Sequence, residues 1–157
     1  AAAEHPIICA SFIGSDNMPL FYRGFYRQEV DDIEAQLALY AALDQADVHL
    51  RASQQAVQRG ETRSPDPYLG ILSPALFNSE DVNTYGYVSA TQVKVFVVIR
   101  DGVKQRREED TIMRSLLKQL YLLYVDAAAN PFHTTFEKDS FSNSVASVVN
   151  HHASMFV

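Results

Sequence analysis

The chain has 157 residues, of which 47% are apolar and 20% are charged, and its formal net charge is −6. This length and composition predict one folded domain over residues 1–157 that buries a substantial core, and they exclude a disordered chain. The acidic balance argues against nucleic acid as a partner, because nucleic-acid binders carry a basic face.

Signals for membrane insertion and secretion are absent from the sequence. The longest apolar runs, such as 95–99, are too short to span a bilayer, and residues 1–4 lack the regions of a signal peptide. Cys9 is the only cysteine, which excludes an intrachain disulfide and a cysteine-based zinc site. We therefore expect a cytosolic protein in which Cys9 is a small core residue.

The first two predicted elements form a hairpin. Residues 7–14 are almost continuously apolar, which indicates a strand that is covered on both faces and lies centrally in its sheet. Turn residues 15–17 separate it from a second strand over 19–23, which Pro19 can begin.

The next predicted element is a long helix that begins at Glu29 or Val30 and ends before Gly60. Its apolar residues recur at helical spacing and predict an inner face. That face consists of Ile33, Leu37, Tyr40, Leu43 and Leu50, widened by Leu39, Ala42, Ala46 and Val48. Residues 58–67 follow as a polar loop containing proline, which we expect to be mobile.

Three strands over 68–72, 84–88 and 93–99 follow with short connections, as in an antiparallel meander. In the second of them Gly86 lies between two tyrosines, which project from one face and leave the other face bare. The bare face either admits a ligand or lets the long helix after the meander pack closely, and we favour close packing.

Two helices complete the chain. Over residues 106–132, acidic residues in the first turn precede a broad apolar stripe, and Asn130-Pro131 stops the helix. A second amphipathic segment begins at about Asp139. The resulting order predicts an α+β fold: a five-stranded antiparallel sheet with one helix on one face and two on the other.

No motif in the sequence indicates catalysis, and we expect neither an enzyme nor a cofactor. His133, His151 and His152 are candidate metal ligands, but no i,i+4 partner or nearby carboxylate completes a set, so we expect solvated histidines. Asp44 and Asp47 share one helix face. An acid–base pair would require one of them to be desolvated, whereas the simpler interpretation is a solvated helix edge.

Several short segments occur in a specific order: AALDQAD at 41–47, YLGILSP at 68–74, YGYV at 85–88, VKVF at 93–96, IMRSLL at 112–117 and NPFH at 130–133. The first resembles the first-helix LDxxD segment of the sedlin family, subunits of the TRAPP vesicle-tethering complexes, and the others resemble the family's sedlin-like branch. Loop 58–67 and residues 75–81 depart from the family pattern by being longer.

The resemblance implies a longin (profilin-like) fold and a non-catalytic adaptor subunit. Its partners would be other TRAPP subunits and, through the complex, a Rab-type GTPase in ER–Golgi and intra-Golgi traffic. It would lie in the cytoplasm, peripherally associated with Golgi membranes. We expect part of the subunit interface at Asp44 and Asp47 with their neighbours Tyr40 and Val48, because interface cores combine aromatic and apolar residues with few charges.

Two alternatives keep the fold and change the function. One is the regulatory longin domain of a SNARE or the small chain of an adaptor complex, although a SNARE would continue into heptad repeats, which do not occur before Val157. The other is a small-molecule sensor, which would require a formed cavity with convergent polar groups.

Overall fold

The predicted order of elements is confirmed in a computed structural model, which describes residues 6–25, 29–60, 66–72, 82–100, 106–129 and 139–156. The strands are β1 (Ile7–Ile13), β2 (Pro19–Gly24), β3 (Tyr68–Leu72), β4 (Val82–Val88) and β5 (Lys94–Arg100). The helices are α1 (Glu29–Gln58), α2 (Arg106–Ala129) and α3 (Asp139–Ala153), the last followed by a short 3₁₀ helix over Ser154–Phe156. The predicted stop of the long helix at Asn130-Pro131 and residues 61–65 of the predicted loop 58–67 lie outside the described residues.

The strands form one antiparallel sheet in the order β2-β1-β5-β4-β3. The hairpin β1–β2 and the meander β3–β4–β5 are joined by the pairing of β1 with β5, in which Ser11 lies opposite Phe96. All seven residues of β1 are buried, so its predicted interior place in the sheet is confirmed. The α+β architecture is therefore as predicted, and it is consistent with a longin-like fold.

Helices α2 and α3 pack with alternate strand residues to form the larger of two cores, called here the α2–α3 core. Strand β5 contributes Val95, Val97 and Ile99, α2 contributes Met113, Leu116, Leu117 and Leu120, and α3 contributes Phe141, Val145 and Val149. The members from α2 and α3 recur at spacings of three and four, so they lie on the apolar face that the pattern predicted for each helix.

The ring of Phe12 in β1 connects four elements within the α2–α3 core. Its centroid lies 5.8 Å from that of Phe21 in β2, 6.2 Å from Tyr124 in α2 and 5.6 Å from Phe141 in α3. Phe21 and Phe141 also meet edge to face at 4.9 Å. Such pairs add specific geometry to apolar burial, so they fix how α3 lies against the hairpin.

Helix α1 packs with the intervening strand residues to form the second core, called here the α1 core. It contains Ile8, Cys9 and Ile13 of β1, Leu72 of β3, Phe96 and Val98 of β5, and Ala38, Leu39, Ala42 and Ala46 of α1. Cys9 is buried, as predicted. Residues 95 to 99 alternate between the two cores. This alternation supports the prediction that one helix covers one face of the sheet and two helices cover the other, which stays a prediction.

The inner face predicted for α1 is wrong in part. Ile33 is 63% exposed, Leu37 41% and Tyr40 68%, whereas the sheet is contacted by Leu39 and the small residues Ala38, Ala42 and Ala46. The alanines allow the helix axis to approach large strand side chains such as Phe96, which fill the core in their place. The prediction gave most weight to the large apolar residues of α1, whereas in the structure its smaller apolar residues face the sheet.

The bare face of Gly86 is filled by side chains of the α1 core. A Cβ at this position would lie 2.7 Å from Leu72 Cδ1 and 3.2 Å from Phe96 Cε1. The interpretation that Gly86 admits the long helix α2 is therefore wrong, because Leu72 and Phe96, two strand neighbours that belong to the α1 core, occupy the space beside it. The close contact explains why only glycine fits between the two tyrosines.

We predict that Leu116→Ala lowers the free energy of unfolding by about 2–5 kcal/mol, because Leu116 is completely buried and its loss leaves a cavity. Leu122→Ala is the matched control in the same helix, since Leu122 is 50% exposed, and it should change stability by less than about 0.5 kcal/mol. Urea unfolding measures both values. Equal losses in the two variants would contradict the assignment of the inner face of α2.

We also predict that Gly86→Ala destabilises the fold by about 1–3 kcal/mol through the clash with Leu72. In a double-mutant cycle with Leu72→Ala, the two losses should sum to more than the loss in the double variant, because the clash disappears with the Leu72 side chain. Strictly additive unfolding energies would show that Leu72 is not what excludes a side chain at this position.

Candidate partner interface

One side of α1 carries an exposed apolar surface, called here the α1 stripe and defined by Ile33, Leu37, Tyr40, Asp44 and Val48. These positions are separated by three or four residues, so they follow one another along one side of the helix. Its four apolar members, Val48 included, are 41% to 68% exposed. A single exposed leucine is ordinary, but a contiguous row of large apolar side chains is typical of an interaction surface.

The charge on α1 is mostly negative in sequence, and the only lysine or arginine of the helix is Arg51, one turn beyond Asp47. Residues 29–50 contain six carboxylates and no lysine or arginine; the acids are Glu29, Asp31, Asp32, Glu34, Asp44 and Asp47. Asp44 is exposed and Asp47 half-buried. Among the described residues neither carboxylate has an ion-pair or hydrogen-bond partner. The stripe therefore combines four large apolar side chains with the carboxylate of Asp44, unpaired among the described residues, and the carboxylate of Asp47 lies at its margin.

A groove of about 290 Å³ runs beside the stripe, between α1 and the β1–β2 hairpin. Helix α1 packs mainly on β1, β3, β4 and β5, and the groove lies where it passes the edge strand β2. The walls are mostly apolar and are formed by Ile13, Pro19, Tyr22, Leu39, Tyr40 and Leu43, with polar groups from Ser11, Asn17 and Gln36. Tyr40 belongs to both features, so the groove opens onto the stripe.

The hairpin turn at the groove is held by a buried lysine. Lys94 is only 2% exposed, and its Nζ donates a 2.7 Å hydrogen bond to Oδ1 of Asn17. Asn17 is in the left-handed backbone conformation, with φ of 63°, and its N–H donates to the Gly14 carbonyl at 2.9 Å. Asparagine suits this turn because it tolerates positive φ and also supplies the acceptor for Lys94.

The sequence-predicted interface residues fall together in space. Tyr40, Asp44 and Val48 lie on the α1 stripe, and Asp47 lies at its margin. Sequence reasoning missed the groove and its residues from the hairpin, because a contact between α1 and β2 has no local signal. Their use as an interface stays a prediction at this point.

Two of the three candidate metal ligands lie side by side, because the ring centroids of His151 and His152 are 5.3 Å apart. His133 lies outside the described residues, and His151 is exposed. His152 is 1% exposed, with Nδ1 donating to the Val148 carbonyl at 2.8 Å and Nε2 lying 3.3 Å from Ser115 Oγ. The expected solvent exposure is therefore wrong for His152, which joins α3 to α2. Within the described ranges, no group of three or more potential metal ligands occurs.

Two acids at the start of α2 anchor that helix to the sheet. Glu109 is 5% exposed and accepts a 2.9 Å hydrogen bond from the Tyr85 hydroxyl, and Asp110 accepts one of 2.7 Å from Tyr68. Burial, followed by the hydrogen bond to Asp110, raises the pKa of Tyr68 well above its usual range. Tyr68 therefore stays protonated at physiological pH and acts as a hydrogen-bond donor that holds α2 to the sheet. Its role is structural.

The described elements form a small α+β domain with an exposed apolar helix face beside a groove. A family model described as Sedlin matches residues 12–153, and the chain belongs to the sedlin family.

Relatives in distant organisms carry one name, Trafficking protein particle complex subunit 2-like protein. The Xenopus tropicalis protein is 27% identical over 145 residues, which cover 90% of this chain and 96% of the relative. The Dictyostelium discoideum protein is 26% identical over 148 residues, covering 91% and 96%. The Bos taurus protein is 27% identical over 126 residues, covering 80% and 82%. The similarity therefore extends over most of each chain.

We predict that Asn17→Ala is more destabilising than Asn17→Gly. Both variants remove the acceptor of the buried Lys94, which costs about 1–3 kcal/mol, but alanine adds about 1 kcal/mol or more of strain at positive φ. Thermal or urea unfolding of the two variants measures the difference. If the two were equally stable, the left-handed turn would not be what requires this residue.

Proposed function

We propose that this chain is a non-catalytic adaptor subunit of a TRAPP-type vesicle-tethering complex, and that it binds a neighbouring subunit through the α1 stripe. Membership of the sedlin family and the names of its relatives support the type of complex. The observation that carries the proposal is the exposed apolar side of α1, which a protein in solution by itself would not need.

The mechanism is surface complementarity on a rigid body. Helix α1 is held by the α1 core, so docking requires no rearrangement of the backbone. Tyr40, at 68% exposure, is the most exposed aromatic side chain among the described residues and the kind of side chain that carries most of an interface's binding energy. Asp44 and Asp47 then orient the partner through charge.

The finer features of this function follow the family. The subunit acts on a Rab-type GTPase only indirectly, through other subunits that carry out nucleotide exchange in ER–Golgi and intra-Golgi traffic. It lies in the cytoplasm and reaches Golgi membranes as part of the complex. Among the described helices, none is both long and apolar enough to cross a bilayer.

A small-molecule sensor is the second candidate, because the groove is a formed cavity. Its volume of about 290 Å³ lies at the low edge of the range for ligand sites, about 300–1,000 Å³. It also opens onto the exposed stripe through Tyr40. The continuity of groove and stripe favours docking of a protein segment over enclosure of a small molecule.

We predict that Asp44→Tyr leaves the monomer folded and abolishes its association with the other TRAPP subunits. Asp44 is exposed, so the melting temperature should stay within about 2 °C of wild type, whereas the bulky ring replaces a charge at the centre of the contact. The measurement is affinity purification of the tagged chain, with identification of the TRAPP subunits that co-purify.

Asp126→Tyr is the matched control, because it makes the same substitution at an exposed carboxylate of α2. It should retain the TRAPP subunits at wild-type yield. Full recovery with Asp44→Tyr would remove Asp44 from the interface. If the wild-type chain recovered no TRAPP subunit, the proposed function itself would be wrong and the sensor would be the better candidate.

A further inference from the structure

The groove and the α1 stripe limit what kind of partner segment can bind them. We infer that the occupant is a protein segment that inserts one large apolar side chain into the groove and places lysine or arginine beside Asp44 and Asp47. This inference rests on the proposed function and adds to it the chemical class of the partner.

The apolar part of the inference comes from the groove walls. Six of its nine lining residues are apolar or aromatic, and Leu39 and Leu43 form its helical wall. A cavity of about 290 Å³ with walls of this kind accommodates one or two large side chains but not a folded element. The exposed ring of Tyr40 at the mouth of the groove would then cover the inserted side chain.

The basic part comes from charge complementarity. Asp44 directly follows the groove residue Leu43 along α1, and Asp47 lies one turn further. Their carboxylates have no ion-pair partner among the described residues, and residues 29–50 of α1 contain no cation of lysine or arginine. Arg51 follows one turn beyond Asp47, but Asp44 adjoins the groove residue Leu43, so an acidic segment in the groove would meet like charge there. Such juxtaposed like charges cost several kcal/mol in an interface.

The other exposed apolar residues carry no comparable inference. Leu122 and Val125 on α2 are 50% and 38% exposed, but they do not line the groove. Met18, at 60% exposure, lies in the hairpin turn beside the groove and extends the apolar surface on that side. On α1, the groove residue Leu43 is followed directly by Asp44, so an apolar cavity and an acid lie side by side there.

The test uses three fluorescein-labelled dodecapeptides and the purified 157-residue chain. The first peptide alternates lysine with leucine and phenylalanine, the second has glutamate in place of every lysine, and the third keeps the lysines but has alanine in place of leucine and phenylalanine. Fluorescence anisotropy at about 0.15 M salt should show that the first binds at least about 10-fold more tightly than either other peptide. Equal affinity for the lysine and glutamate peptides would overturn the inference.

Substitutions locate the binding. Asp44→Lys should weaken binding of the lysine peptide by about 10-fold and strengthen binding of the glutamate peptide, because it reverses the central charge. Asp126→Lys makes the same change in net charge at an exposed position of α2 and should alter either affinity by less than about 2-fold. Matching effects of the two substitutions would mean that net charge alone attracts the peptide, which contradicts a site at α1.

The apolar contact is tested separately with Tyr40→Ala, which should weaken binding of the lysine peptide by about 10-fold while leaving the melting temperature unchanged. Leu122→Ala is its control, since it removes a comparably exposed apolar side chain from α2. If Leu122→Ala weakened binding as much as Tyr40→Ala, the groove would not be the binding site.

Two further outcomes would also overturn the inference. Analytical ultracentrifugation could show a dimer of wild type that Tyr40→Ala dissociates, in which case the occupant is a second copy of the chain. Failure of all three peptides to bind, while Asp44→Tyr still disrupts co-purification, would reject the stated chemistry and leave the proposed function intact.

Discussion

Strand β5 supports both cores of this protein through the alternation of its side chains. Val95, Val97 and Ile99 pack with α2 and α3, whereas Phe96 and Val98 pack with α1. The same strand is hydrogen-bonded on one edge to β1 and on the other to β4, so it also joins the hairpin to the meander. Any change that shifted its register by one residue would exchange the two sets of side chains and expose both helical layers to the wrong partner.

The position of α1 follows from the size of the residues that contact the sheet. Alanines at 38, 42 and 46 allow close approach to large strand side chains, and the bulkier Ile33, Leu37 and Tyr40 are left outside. The apolar surface that remains is larger than a single exposed residue would produce and lies beside the groove between α1 and the β1–β2 hairpin. The close packing of α1 through its alanines therefore leaves both the exposed α1 stripe and the groove beside it.

Buried polar groups mark the places where elements distant in sequence are fastened together. Lys94 donates to Asn17 and ties the central strand to the hairpin turn, Glu109 accepts from Tyr85 at the start of α2, and His152 lies between α3 and α2. Their burial has no local signal in the sequence, because a charged or ionisable residue in a helix or at a strand end is more often solvated. Only the three-dimensional neighbours show that these groups are buried and paired.

The sequence by itself determined the order and type of the elements, the interior place of β1 and the inner faces of α2 and α3, because periodicity and turn residues act locally and the apolar residues of those helices share one face. It also placed Tyr40, Asp44 and Val48 at one helical spacing. The tertiary structure alone decided which side of α1 faces the sheet, since that helix is apolar on more than one side. It also decided that a groove forms beside α1, because the groove depends on the distance between a helix and an edge strand that are separate in the chain.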